Sequence, residues 1–141
     1  MRFQRSVLVV ALLGFAVVAQ GHHSFAMFDQ ARLLPLKGTV HDFQWTNPHA
    51  FIDIDVPNDQ GGSDLWKVEL NSPNNLKRQG WKSGQLVPGD RITVVINPLR
   101  DGTKGGLFVS VTLPDGKTIN DPAHAKGGPI NVPQTGAAPA P

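Results

Sequence analysis

The sequence contains no cysteine, which removes disulfides, thiolate metal ligands and a thiol nucleophile together. Stability then rests on a packed core, and any metal site rests on nitrogen and oxygen donors. Familiar catalytic signatures are missing too: there is no Gly-x-Ser-x-Gly elbow, no phosphate-binding P-loop and no His-Glu-x-x-His, so nothing marks an enzyme. Excess positive charge is scarce. Of 13 basic residues against 11 acidic ones, Arg2 and Arg5 belong to an N-terminal leader, and removing them leaves 11 against 11. A neutral domain lacks the electrostatic footprint of a nucleic-acid binder, and no nucleic-acid partner is expected. No repeat recurs at a fixed period.

The leader itself is legible. Arg2 and Arg5 precede an apolar run over residues 7–18, broken only by Gly14, and Ala19-Gln20-Gly21 follows. A basic start, an apolar stretch too short to span a bilayer and small residues before a cut read as a secretory signal peptide over 1–21. The expected location is periplasmic or secreted, in a bacterium, with no transmembrane segment after cleavage. At the other end, residues 120–141 are rich in Pro, Gly and Ala without hydrophobic periodicity, and the expectation is a disordered tail. One small domain remains over 22–119, opening with an arm at 22–35 that docks Phe25, Met27 and Phe28 on the rest.

Within that domain the hydrophobic pattern alternates with period two. Leu34, Leu36 and Val40 share one face of a first strand, whereas Phe43 and Trp45 have the opposite parity. Burying both sets requires a bulge near His41-Asp42 or a sharply coiled strand. Ile52, Ile54 and Val56 point inward on a second strand, with Asp53 and Asp55 outward. A turn over 58–64 leads to a third, with Trp66, Val68 and Leu70 inward and Lys67 across from Asp53 or Asp55. Ser72 as N-cap, Pro73 at the first helical position and Gly80 as a left-handed stop outline a short helix, with Trp81 packing back on Leu76. Ile92, Val94 and Ile96 form a fourth strand; a loop over 97–106 leads to a fifth with Leu107, Val109, Val111 and Leu113 on one face. Three strands, a short helix and two strands predict a mainly β fold, a small five-stranded OB-like barrel with one short helix between strands 3 and 4. An open meander carrying one helix is the alternative.

The chemically pointed stretch is residues 43–51, where aromatics flank the Asn47-Pro48 turn and His49 follows it. Imidazole is the commonest metal ligand, and nitrogen-rich planar sites favour Cu(II) or Ni(II). His22, His23 and His49 are the candidate metal ligands, with copper the candidate ion. Cleavage after Gly21 makes His22 the N-terminus, whose α-amine and ring nitrogen chelate one copper while His49 supplies a third nitrogen. Cleavage after Ala19 gives Gln20-Gly21-His22, whose amine, backbone amides and third-position histidine form a square-planar site. The plainer reading makes His22 and His23 polar residues at a flexible end and His49 a turn residue bonded to backbone. Trp45, Asn47, Phe51 and Arg100 are candidates for a ligand surface, and no residue is assigned a catalytic role. The expected function is a binding or accessory module whose partner is an exported protein or a small ligand. The alternatives are a structural interaction module without metal and a copper-dependent oxidative enzyme.

Several motifs also occur in a particular order: His-His-Ser-Phe-Ala-Met-Phe-Asp at 22–29, Gly38-Thr39-Val40, Trp-Thr-Asn-Pro-His-Ala at 45–50, Ser72-Pro73, Gln79-Gly80-Trp81, Pro88-Gly89-Asp90 and Pro-Leu-Arg-Asp-Gly at 98–102. Together they resemble a family of small exported bacterial proteins classed as a domain of unknown function. The resemblance implies export, a compact β domain and no established activity.

Overall fold

The structure is a computed structural model that describes residues 25–125. His22, His23, the leader and the tail beyond residue 125 lie outside the described residues. A 3-10 turn (Phe25–Met27) precedes β1 (Leu34–Gln44), β2 (Phe51–Pro57), β3 (Ser63–Glu69), α1 (Pro73–Arg78), β4 (Arg91–Pro98), β5 (Gly105–Thr112), β6 (Thr118–Asn120) and α2 (Pro122–Ala125). The sheet runs β3-β2-β1-β4-β5-β6. A parallel pairing of Lys67, Val68 and Glu69 with Gly105, Gly106 and Leu107 joins β3 to β5 and closes five strands into a barrel. This is the OB-like order expected from the sequence, with α1 between β3 and β4.

The long β1 makes closure possible by serving two neighbours. Leu34 to Thr39 pair with β4, and Thr39 to Gln44 pair with β2. At the hand-over Gly38 passes so close to β2 that a Cβ would collide with the Asp55 carbonyl oxygen, so only glycine fits. Between Val40 and Asp42 the register shifts, leaving His41 as the extra residue of a bulge. The parity conflict is thereby resolved: Leu36 and Val40 are buried before the bulge, and Phe43 packs against the same core after it.

A second bulge, in β5, changes an expectation. Val95 pairs with Ser110 and Ile96 with Phe108, so Val109 is skipped. The expected single face of Leu107, Val109, Val111 and Leu113 is therefore split, and Phe108, Val111 and Leu113 face the core instead. The core is otherwise aliphatic, with Ile52, Ile54, Val68, Val94 and Ile96 fully buried. Each such side chain contributes about 1.5–3 kcal/mol through removal from water.

The α1 segment packs into this core. Ser72 caps it, accepting from the Asn75 amide, and Pro73 opens it. It stops at Gly80, whose φ is +90°, with the Trp81 amide donating to the Leu76 carbonyl at 3.0 Å. Trp81 lies 5.6 Å from Phe108 and 6.0 Å from Phe43, measured between ring centroids. The chain does not stop pairing at the Pro114-Asp115-Gly116 turn: β6 adds to the second half of β5, and the Asp121 amide donates to the Val109 carbonyl at 2.8 Å.

Candidate functional site

His49 owes its position to the turn before it. The Asn47–Pro48 peptide is cis, and the Thr46 hydroxyl donates to the His49 carbonyl at 2.9 Å. Backbone bonds from the Ala50 amide to Asn71 O and from the Leu70 amide to Ala50 O then zip the turn to the exit of β3. The His49 ring consequently lies beside residues 69 and 70. Its Nδ1 is 3.0 Å from the Leu70 carbonyl oxygen and 3.2 Å from Glu69 Oε1. Both neighbours only accept, so Nδ1 carries a proton and donates to them.

The arm reaches the same place by a different route. Phe28 is buried and bridges Leu99, the Asp29 amide donates to Pro98 O at 2.8 Å, and the Arg100 amide donates to Met27 O at 2.9 Å. Arg100 Nε also donates to Ala26 O at 3.0 Å, and its guanidinium stands 3.8 Å from Asp29. Asn97, fully buried, donates from its amide to Arg32 O. Between this arm and the barrel lies a cavity of about 500 Å³. Phe25, Phe28, Leu70 and Phe108 give it apolar walls, while His49, Glu69 and Asp121 bring it polar groups. Phe28, Leu70 and Phe108 are buried, whereas Phe25 is 64% exposed.

Asp121 and Glu69 were not among the residues singled out from sequence. Glu69 reads there only as an outward residue of the third strand, and its nearness to His49 follows from the turn. Asp121 carried a signal that composition obscured: Asp-Pro is an N-cap followed by proline at the first helical position. Asp121 Oδ1 indeed accepts from the Ala123 amide at 2.9 Å where α2 starts.

The proposed ligand-surface residues do not gather in that cavity. Trp45 lies edge-on to Phe43, 5.6 Å between centroids, and packs against the core. Asn47 is exposed on the turn, and Phe51 lies beneath Lys67, whose Nζ is 4.9 Å from the ring centroid. Arg100 holds the arm. Along the outside of β2 and β3, Asp53 accepts from Gln44 at 2.7 Å and pairs with Lys67 at 3.3 Å, and Asp55 meets the His41 ring at 3.0 Å. Among the described residues no group of three or more His, Asp or Glu is placed to hold a metal ion by itself. No helix among them is long and apolar enough to cross a membrane.

The fold and this end of it define a class: a small OB-like barrel with a docked arm over an aromatic and acidic cavity. The chain belongs to a family of unknown function (DUF6152), which matches residues 10–109. No curated protein matches the sequence. Among solved structures, the mitochondrial single-stranded DNA-binding protein Rim1 from S. cerevisiae is similar at 11% identity and a TM-score of 0.44, over 58% of this chain and 92% of that one. A likeness that distant says nothing about what this chain binds.

Proposed function

We propose that the protein is an exported, periplasmic binding or accessory module that holds one Cu(II) between its mature N-terminus and His49. The observation that carries this reading is the hydrogen bonding of His49. With Nδ1 donating to the Leu70 carbonyl and the Glu69 carboxylate, Nε2 is the ring atom that would ligate a metal, and such a bond from the other nitrogen is what orients histidine ligands in metal sites. Phe25 adds support because it lines the cavity with His49 and follows His22 by three positions. Three extended residues span at most about 10 Å, so the reading requires the histidine pair to lie within that distance of Phe25. A free α-amine, with an unperturbed pKa near 8, completes a nitrogen-rich set with His22 and His49 when the chain begins at His22; cleavage after Ala19 instead gives a site from Gln20-Gly21-His22 that does not need His49.

The exposure of Phe25 and Met27, 64% and 42%, favours a second reading, a module that contacts another exported protein through its arm without metal. Nucleic acid fits neither reading. The outward face of β2 and β3 carries Asp53, Asp55 and Glu69 against Lys67, the wrong sign for a phosphate backbone.

The test is a Cu(II) titration of the exported protein beside its uncut precursor and its His22→Ala variant, with intact mass fixing the N-terminus. The expected result is one tight site in the exported protein, much weaker binding in the precursor, and loss of the site without His22. Uptake no better in the exported protein than in His22→Ala would end the metal reading and leave the interaction module.

A further inference from the structure

Away from the arm, β1 and β4 set four donor side chains on one outward face. Lys37 stands across from Thr93, and Thr39 across from Arg91. All four therefore point away from the side that buries Leu36, Val40, Ile92 and Val94. The two cations are diagonal cross-strand neighbours, about 7–8 Å apart along the sheet, and the two hydroxyls occupy the other diagonal. Among the described residues, no hydrogen bond or ion pair engages the Lys37 or Arg91 side chain or the Thr39 or Thr93 hydroxyl. The quartet lines a groove of about 850 Å³, within the range of small-molecule sites. Asp90, the carboxylate lining it, accepts from the Val87 amide at 3.0 Å, and Asp55, across from Thr39 on β2, meets the His41 ring.

We propose that this groove binds a small soluble phosphomonoester, its phosphate between Lys37 and Arg91 with the Thr39 and Thr93 hydroxyls donating to further oxygens. Two unpaired like charges held as neighbours repel each other, and a dianion between them turns that repulsion into attraction. Ammonium and guanidinium groups only donate, and the guanidinium fork matches phosphate oxygens. A phosphomonoester carries close to two charges at neutral pH, whereas a carboxylate carries one and leaves a cation uncompensated. Longer polyanions fit less well. Nucleic-acid binders make roughly 6–10 phosphate contacts, and anionic membranes draw clusters of about 4–8 basic residues. The site is independent of the copper reading, because none of its residues belongs to the arm or to the turn that carries His49.

Glycerol phosphate is the probe, titrated by calorimetry and by amide chemical shifts into the exported protein in EDTA at fixed ionic strength, with glycerol as the neutral counterpart. The expected result is saturable one-to-one binding of glycerol phosphate, with shifts centred on residues 37–39, 91–93 and 112, and none of glycerol. Lys37→Met and Arg91→Met, both at exposed positions, should each weaken binding about tenfold while the barrel melts as before. Lys104→Met is the control, since Lys104 follows the far end of β4 and pairs with Asp64; it should leave the affinity unchanged. Should Arg91→Met not fold, Lys37→Met carries the test with Thr93→Val, expected to lose affinity several-fold. Absence of saturable binding, shifts spread over the surface lysines at large, or an equal loss in Lys104→Met would each overturn the proposal. Binding to vesicles of phosphatidic acid in phosphatidylcholine without binding of glycerol phosphate would also overturn it, because the phosphate would then belong to a lipid surface.

Discussion

The interior of the barrel and its arm-capped end are built on different principles. Inside, Ile52, Ile54, Val68, Val94 and Ile96 are sealed from solvent, and strand ladders satisfy the backbone around them. At the end, one deeply buried anchor, Phe28, is held with backbone hydrogen bonds to 98–100, and partly buried polar groups face a cavity. The first region is governed by packing density, where a lost methylene is felt throughout. The second is governed by a few directional contacts and opens at lower cost. The packed core and the candidate site are thus neighbouring parts of one small domain, joined by Phe108, whose side chain belongs to the core and also lines the cavity.

Substitutions that separate the two regions test that division. Trp81→Ala should have the largest effect, destabilising by about 3–5 kcal/mol in urea melts, because Trp81 is buried between Phe43 and Phe108. Gly80→Val should follow with about 1–3 kcal/mol, the cost of a β-branched residue at a φ of +90°. If the proposed copper site exists, the residual folded protein of both variants should bind Cu(II) as the wild type does; loss of affinity in proportion to stability would mean that the regions do not separate. Arg100→Ala should act in the reverse sense, with a loss of about 1 kcal/mol or less but much faster amide exchange at residues 27–29, since Arg100 ties the arm through Ala26 O and Asp29. Unchanged exchange there would show that Phe28 suffices.

The smallest effect concerns pH and the loop at 99–104. The Lys104 side chain, followed by Asn58, holds the Asp64 carboxyl below its ordinary range. A lowered folded-state pKa gives a contribution present above the unfolded value near 3.9 and lost as pH falls through the folded value. Lys104→Met should therefore reduce stability slightly at neutral pH and flatten the acid limb of a melting curve below about pH 4, with the cavity undisturbed. An unchanged acid limb would mean that the exposed pair contributes nothing.

The same division explains what could be read from sequence. Alternation placed Ile52, Ile54, Ile92 and Ile96 inward because a strand with one buried face writes its period into the chain. Conflicting parity between Val40 and Phe43 called for a bulge near His41-Asp42 or a coiled strand, and the register shifts at His41. The bulge at Val109 left no such trace, since Leu107, Phe108, Val109 and Val111 are all apolar and either phase looks buried. At the arm-capped end, His49 was recognisable by chemistry and turn, and the arm by its aromatics. Glu69 was not, because its partnership with His49 depends on how the 46–50 turn folds against the exit of β3. Asp121 lay in a stretch whose composition outweighed its own Asp-Pro capping signal. Residues that meet only through tertiary joins leave little local pattern to read.

The central proposal is that His49 and an N-terminus at His22 share one copper ion. Pulsed electron paramagnetic resonance on the chain beginning at His22, loaded with one equivalent of Cu(II), counts the coordinated imidazoles through their remote nitrogens. The account predicts that His49→Ala removes one equatorial imidazole from the wild-type spectrum while the barrel melts as before. An identical nitrogen modulation in wild type and His49→Ala would contradict it.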